Sequence, residues 1–204
     1  MPITDAFTAA NGTDIVAYSA NWAYVRGTTG SLLINTNAVR PVLESLERAV
    51  RRVGTFPNAH YAQIGTNTAS GNENEALGPA VRCQAAASNN YYGFYQSAGT
   101  ANYLFENTGA TWTQLGSTGL NGSDAGDTEK LDANGSTLTP TINGSGTGTP
   151  GAQTDTTYTT GAPGITWFDS VTPAGNWDNF ECTDLAGGGP LPPYPVRQQT
   201  AWRM

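Results

Sequence analysis

Lysine is almost absent from this chain of 204 residues: Lys130 is the only one, and His60 is the only histidine. Charged residues make up 12%, about half the roughly 25% of an ordinary globular domain. The formal net charge of −7 argues against a general binder of nucleic acid or of anionic membranes, which carries a basic surface. Cysteine is limited to Cys83 and Cys182. Two cysteines and one histidine do not make a zinc site. The two thiols can bridge only if strands from the two halves become neighbours, and scattered cysteines are more often buried thiols. No apolar run approaches the length of a membrane helix. Polar residues begin at Thr4 and Asp5, so no secretory leader is expected. Phosphate loops and dinucleotide fingerprints are also missing, and no cofactor is expected. His60 has no serine or cysteine partner by motif, so no catalytic residue is assigned.

What is abundant is threonine, glycine and asparagine, with 29, 25 and 17 copies. Threonine favours strands, while asparagine and glycine favour turns. Aromatics at 10% separate the chain from a disordered one. This length suits one large all-β domain with a substantial core. Six of the nine basic residues fall within the first 82 positions, and Arg40, Arg48, Arg51 and Arg52 crowd one short segment. Either they form a local basic patch, or they lie on a solvated face balanced by Glu44 and Glu47.

The segments "DIVAYSANWAYV" and "GSLLINT" read as early strands. "RPVLESLERAVRRVG" has Leu43, Leu46, Val50 and Val53 at helical spacing, with Pro41 before and Gly54 after; it is the one place where a short helix is expected. From Ala59 onward, strands recur at the roughly 8- to 12-residue spacing of a sandwich. In "NYYGFYQ", Tyr91, Gly93 and Tyr95 fall on one face and Tyr92, Phe94 and Gln96 on the other. That split favours core and cross-strand packing over a binding platform. A residual platform would rest on outward tyrosines, with Tyr103 or Trp112 beside them. Asn-Gly pairs at Asn11, Asn121, Asn134 and Asn143 mark turns.

The C-terminal stretch "AGGGPLPPYPVRQQTAWRM" departs from this pattern. Its glycines and prolines describe a hinge and an extended arm. The expected division is a β-sandwich over residues 1–185 and an arm over 186–204.

Several segments taken in order resemble the concanavalin A-like, laminin G-like jelly-roll domains of bacteriophage virion proteins. They are "DAFTAANGTDIVAY", "VRCQAAASNNYYGFY", "NYLFENTGATWTQLGS", "GDTEKLDANGSTLTPTINGS", "TDTTYTTGAPGI" and "WDNFECTDL". The resemblance implies two antiparallel sheets packed face to face, with Asp5–Phe7 beside Phe180–Glu181. Glucanase relatives carry alternating acids on one strand, because glycoside hydrolysis needs a carboxylate pair. No Glu-x-Asp-x-Glu occurs here, and Glu73 and Glu75 sit in a loop-like "SGNENEALG". Calcium ligation by Asp124 with Asp127, or Asp178 with Glu181, is outweighed by the reading of these groups as solvated acids.

The resemblance and the arm together imply a non-enzymatic capsid decoration (cement) protein on the virion exterior. It would dock on the major capsid protein and on sister subunits, as a homotrimer, through Leu191, Tyr194, Arg197, Trp202 and Arg203. The alternative is a carbohydrate-binding or receptor-binding module of a tail fibre, contacting surface glycans through Tyr91, Tyr103 and Trp112.

Overall fold

The computed structural model describes residues 2–42, 44–68, 75–97, 101–109, 111–119, 124–147, 149–169 and 175–184. The chain begins with β1 (Ile3–Asp5), a single helical turn α1 (Ile15–Tyr18), β2 (Trp22–Arg26), β3 (Leu32–Ile34), β4 (Val39–Pro41) and β5 (Glu44–Arg52). The central part holds β6 (His60–Thr68), β7 (Glu75–Cys83), β8 (Tyr91–Ser97), β9 (Ala101–Thr108) and β10 (Thr111–Gln114). It closes with β11 (Thr128–Asn134), β12 (Thr137–Ile142), β13 (Ser145–Gly146), β14 (Gln153–Thr154), β15 (Ala162–Asp169) and β16 (Asn176–Asp184).

These strands form two antiparallel sheets. One has nine strands in the order β13-β12-β11-β6-β16-β4-β3, with β1 added on β16 and β14 on β12. The other has seven, in the order β10-β9-β8-β7-β15-β5-β2. Between them lies a core that includes Trp22, Ile64, Leu77, Phe94, Leu104, Ile165, Trp167, Trp177 and Phe180. Period-2 alternation explains the assignment: in β8 Tyr92 and Phe94 enter this core, and Tyr91 and Tyr95 join a second cluster on the other face of the sheet. Gly93 is required between them. A Cβ there would lie 2.3 Å from Phe105 Cζ, because the Phe105 ring rests on the glycine.

The N- and C-terminal strands are neighbours, with Ile3 opposite Cys182 and Asp5 opposite Phe180. Asp5 ties this seam to the opposing sheet. Its carboxylate accepts bonds from Tyr18 Oη at 2.8 Å, Trp22 Nε1 at 3.0 Å and the Phe7 amide at 3.1 Å. Arg52 pairs with it at 3.4 Å and also lies over the Trp22 ring. A second acid, Glu129, is fully buried. It accepts bonds from the Gln96 amide of the seven-stranded sheet and from Thr66 Oγ1 beside it in its own sheet. Burial holds its carboxyl well above the ordinary range. Gly78 makes room for it, since a Cβ there would meet Glu129 Oε2 at 2.8 Å.

Two local expectations are corrected. The segment with helical spacing is the strand β5, paired with β15 on one side and β2 on the other. There Val50 faces the main core and Ala49 the second cluster, so two-sided pairing overrides the 3.6-residue pattern. The helical turn lies instead at Ile15–Tyr18, inside an expected strand. Asp14 caps it by accepting from the Val16 amide at 2.8 Å, and also accepts from Tyr24 Oη and the Gly30 amide. The Asn134 turn places Gly135 and Ser136 at its centre, because Asn134 pairs directly with Thr137. Asn143 and Gly144 do form a two-residue hairpin loop, both at positive φ, 53° and 74°.

The arginine-rich segment does not make one patch. Arg40 belongs to β4 of the nine-stranded sheet, whereas Arg48, Arg51 and Arg52 belong to β5 of the other. Cys83 and Cys182 are buried free thiols. They belong to different clusters, Cys83 to the outer one and Cys182 to the main core. The arm over 186–204 and the positions Leu191, Tyr194, Arg197, Trp202 and Arg203 lie outside the described residues.

Candidate functional site

The seven-stranded sheet carries an unusual second cluster on the face turned away from the main core. Tyr91 and Tyr95 of β8, Phe105 and Tyr103 of β9, and Trp112 of β10 form a continuous aromatic row. Phe105 and Trp112 are stacked at 5.7 Å and 27°. Tyr103 meets Trp112 edge-on at 6.2 Å and Tyr95 at 5.8 Å. Tyr91 meets Phe105 edge-on at 6.0 Å. These are the offset and edge-to-face geometries that aromatic quadrupoles favour.

One end of this face is roofed. Arg26, at the end of β2, donates from Nη1 to Asn107 Oδ1 of β9 at 2.6 Å. Four strands separate β2 from β9 in the sheet order. At the ordinary spacing of about 4.8 Å per strand, a flat sheet would hold them roughly 24 Å apart, far beyond the reach of an arginine. The sheet is therefore rolled, with this face on the inside. The β7–β8 connection completes the roof: the Ala87 amide donates to the Tyr24 carbonyl and the Asn89 amide to the Val25 carbonyl. Asn107 Nδ2 in turn donates to the Asn89 carbonyl. Beneath the roof, Val25, Ala49, Ala80, Cys83, Tyr91, Phe105 and Thr166 are all fully buried.

Towards the other end the face opens. Tyr95 is 6% exposed, and Tyr103, Trp112 and Phe168 are half-buried. Glu47 of β5 stands across from the tyrosines, and its charge, after burial, helps hold the Tyr95 hydroxyl well above its ordinary value. Glu47 also approaches Arg26 at 3.9 Å. The open end thus combines half-exposed rings with a carboxylate, and is bounded on the roofed side by the buried Arg26 guanidinium.

The structure brings all three glycan candidates, Tyr91, Tyr103 and Trp112, onto this one face. Their exposures differ. Tyr103 and Trp112 reach the surface, whereas Tyr91 lies under the roof, with its hydroxyl near Thr166 Oγ1 and the Arg48 carbonyl. Sequence reading missed Arg26, Glu47, Asn107 and Phe168. Alternation along β9 puts Phe105 and Leu104 on opposite faces, but nothing local marks Arg26 and Asn107, 81 positions apart, as partners.

A second concavity of about 380 Å³ opens beside β1, where β16 bulges at Asn179. Its lining mixes Ala6 and Phe180 with the polar residues Asp5, Gln63, Asn67 and Asp127. Two of the acids considered for calcium have other partners. Asp127 accepts from the Asp124 amide and from Asn143 Nδ2, and Glu181 accepts from Tyr61 Oη. Burial raises the Asp178 carboxyl above its ordinary value. Among the described residues no three His, Cys, Asp or Glu side chains are grouped to hold a metal.

His60 is fully buried and occupied at both ring nitrogens. Nε2 accepts from the Arg82 amide at 3.1 Å, so the proton sits on Nδ1 and is donated to the Pro57 carbonyl at 2.8 Å. Burial, helped by the nearby Arg82 charge, lowers its pKa from 6.5 to about 4. The unfolded chain therefore takes up a proton that the folded one refuses. Stability from this source is complete above pH 6.5 and is lost as pH falls towards 4. At about 1.4 kcal/mol per pH unit this amounts to about 3 kcal/mol. Glu129 acts in the opposite sense, so the measurement is a difference. Urea unfolding of the wild type and His60→Gln across pH 4–6.5 should show a shallower rise of stability with pH in the variant; equal slopes would refute the assignment.

No family model matches this sequence, and no curated protein sequence matches it. Solved structures do match in fold. The carbohydrate-binding module CBM66 from Bacillus subtilis shares 14% identity and a TM-score of 0.64, over 80% of this chain and 96% of that one. The fold is a concanavalin A-like jelly roll. The same jelly roll aligns with β-agarase A in complex with oligoagarose at 10% identity and a TM-score of 0.61, over 88% and 90% of the two chains. A Bacillus subtilis protein of unknown function with a galectin-like fold aligns at 12% identity and a TM-score of 0.54, over 90% and 98%. At these identities the likeness is one of fold.

Proposed function

We propose that this jelly roll is a non-catalytic carbohydrate-binding module whose glycan site is the open end of the rolled aromatic face. The observation that carries the reading is the row ending in two half-exposed rings, Tyr103 and Trp112, opposite Glu47 and Arg26. Sugar rings present an apolar face that stacks on aromatics and a rim of hydroxyls that needs fixed donors and acceptors. Tyr103 and Trp112 supply the first, and Glu47 and Arg26 the second. Two of the similar structures are a carbohydrate-binding module and an agarase in complex with oligoagarose, which supports a glycan over a capsid protein as partner. The capsid-decoration reading rests on the resemblance to virion jelly rolls together with the arm, and gains no support from them. A hydrolase needs a second carboxylate across the bond; among the described side chains of this face the acid paired beside Arg26 is Glu47.

A glycan array followed by calorimetry tests this. Trp112→Ala and Tyr103→Ala should each weaken binding roughly ten-fold or more, as loss of a central aromatic anchor does. Both should lower the melting temperature less than Phe105→Ala, whose ring is fully buried. Unchanged affinity in both surface variants would overturn the proposal.

A further inference from the structure

The roof over one end of the aromatic face has a consequence for what fits there. A groove open at both ends accepts a polymer anywhere along its length. Here the path along the face is stopped. Arg26 crosses it to Asn107 at 2.6 Å, and behind that bridge the backbone of the β7–β8 connection is bonded to β2. The space beyond is filled by Val25, Ala80, Cys83, Tyr91 and Phe105, all fully buried. Among the described residues this packing leaves no room under the roof for a second sugar to follow.

We infer that this site takes the end of a glycan chain, with the terminal sugar against Arg26 and Glu47 and the next one on Trp112 and Tyr103. The inference rests on the glycan reading and narrows it from carbohydrate in general to chain termini and short oligosaccharides. The chemistry of the blind end agrees with this. A terminal sugar carries one more free hydroxyl than an internal one, and the loosely paired Arg26 and Glu47, 3.9 Å apart, offer a donor and an acceptor side by side. Arg26 is held in place by Asn107, and Asn107 by the Asn89 carbonyl at 2.5 Å, so the stop is preorganised rather than formed on binding.

The experiment uses the full chain and a defined set of probes: laminarin, xylan, agarose and inulin, each intact and as size-fractionated partial hydrolysates. Binding sites per gram are measured for the wild type and for Trp112→Ala. For an end binder, halving the mean chain length doubles the sites per gram, and binding is lost in Trp112→Ala. Sites per gram that stay constant as chains shorten, with Trp112 still required, would overturn end recognition and leave the glycan reading standing. Binding that ignores Trp112, or no binding to any probe, would overturn both.

Discussion

Replacing Phe94 with alanine is expected to lower the free energy of unfolding by about 3–5 kcal/mol, the usual loss for a truncated core aromatic. Phe94 is fully buried between the sheets. It sits on β8 opposite Leu104 of β9, in the middle of the main core. The vacated volume is hard to refill, because both neighbouring strands are held by ladders and Gly78 is pressed against the Phe94 carbonyl. Chemical denaturation at constant slope is the measurement. A loss below about 1 kcal/mol would place the ring outside the core. Glycan binding per folded molecule should stay intact in this variant, since Phe94 faces away from the aromatic row.

Asp5→Ala should be comparably damaging for a different reason. Asp5 is the shared acceptor for Tyr18, Trp22 and the Phe7 amide, and the partner of Arg52. Its own side chain is 8% exposed and that of Arg52 10%. Removing the carboxylate strands a largely buried guanidinium and orphans the Trp22 N–H. Losing one member of a buried pair costs about 3–5 kcal/mol. Asp5→Asn separates charge from shape: it keeps an acceptor for Trp22 but not the charge, and should fall between the wild type and alanine. If alanine and wild type unfold at the same denaturant concentration, the seam between β1 and the opposing sheet does not depend on Asp5.

Much of this fold is legible in the residues because alternation is a local property. "NYYGFYQ" sorts its aromatics onto two faces, and "NYLFEN" puts both of its aromatics on one, without any knowledge of partners. Helical spacing in "RAVRRV" misleads because Val50 and Val53 fit a helix as well as a strand, and only the flanking strands β15 and β2 decide. Asp14 shows the reverse. Its capping bond to the Val16 amide is local, yet an apolar run after it reads as a strand. The candidate site is half legible. Tyr103 and Trp112 can be named from alternation, but the burial of Tyr91 depends on a roof made by Arg26 and Asn107, and that contact exists only once the sheet has rolled.

The pairing of β1 with β16 decides how such a domain can be carried. Ile3 lies opposite Cys182, and β16 ends two residues later at Asp184. These two strands therefore lie side by side on the nine-stranded sheet, whereas the aromatic row belongs to the seven-stranded one. A partner seated on this β1–β16 seam would lie behind the rings rather than in front of them. Several copies strung on one scaffold could then all present their rings outward, and a weak single contact would be multiplied by effective concentration without any change in the site itself.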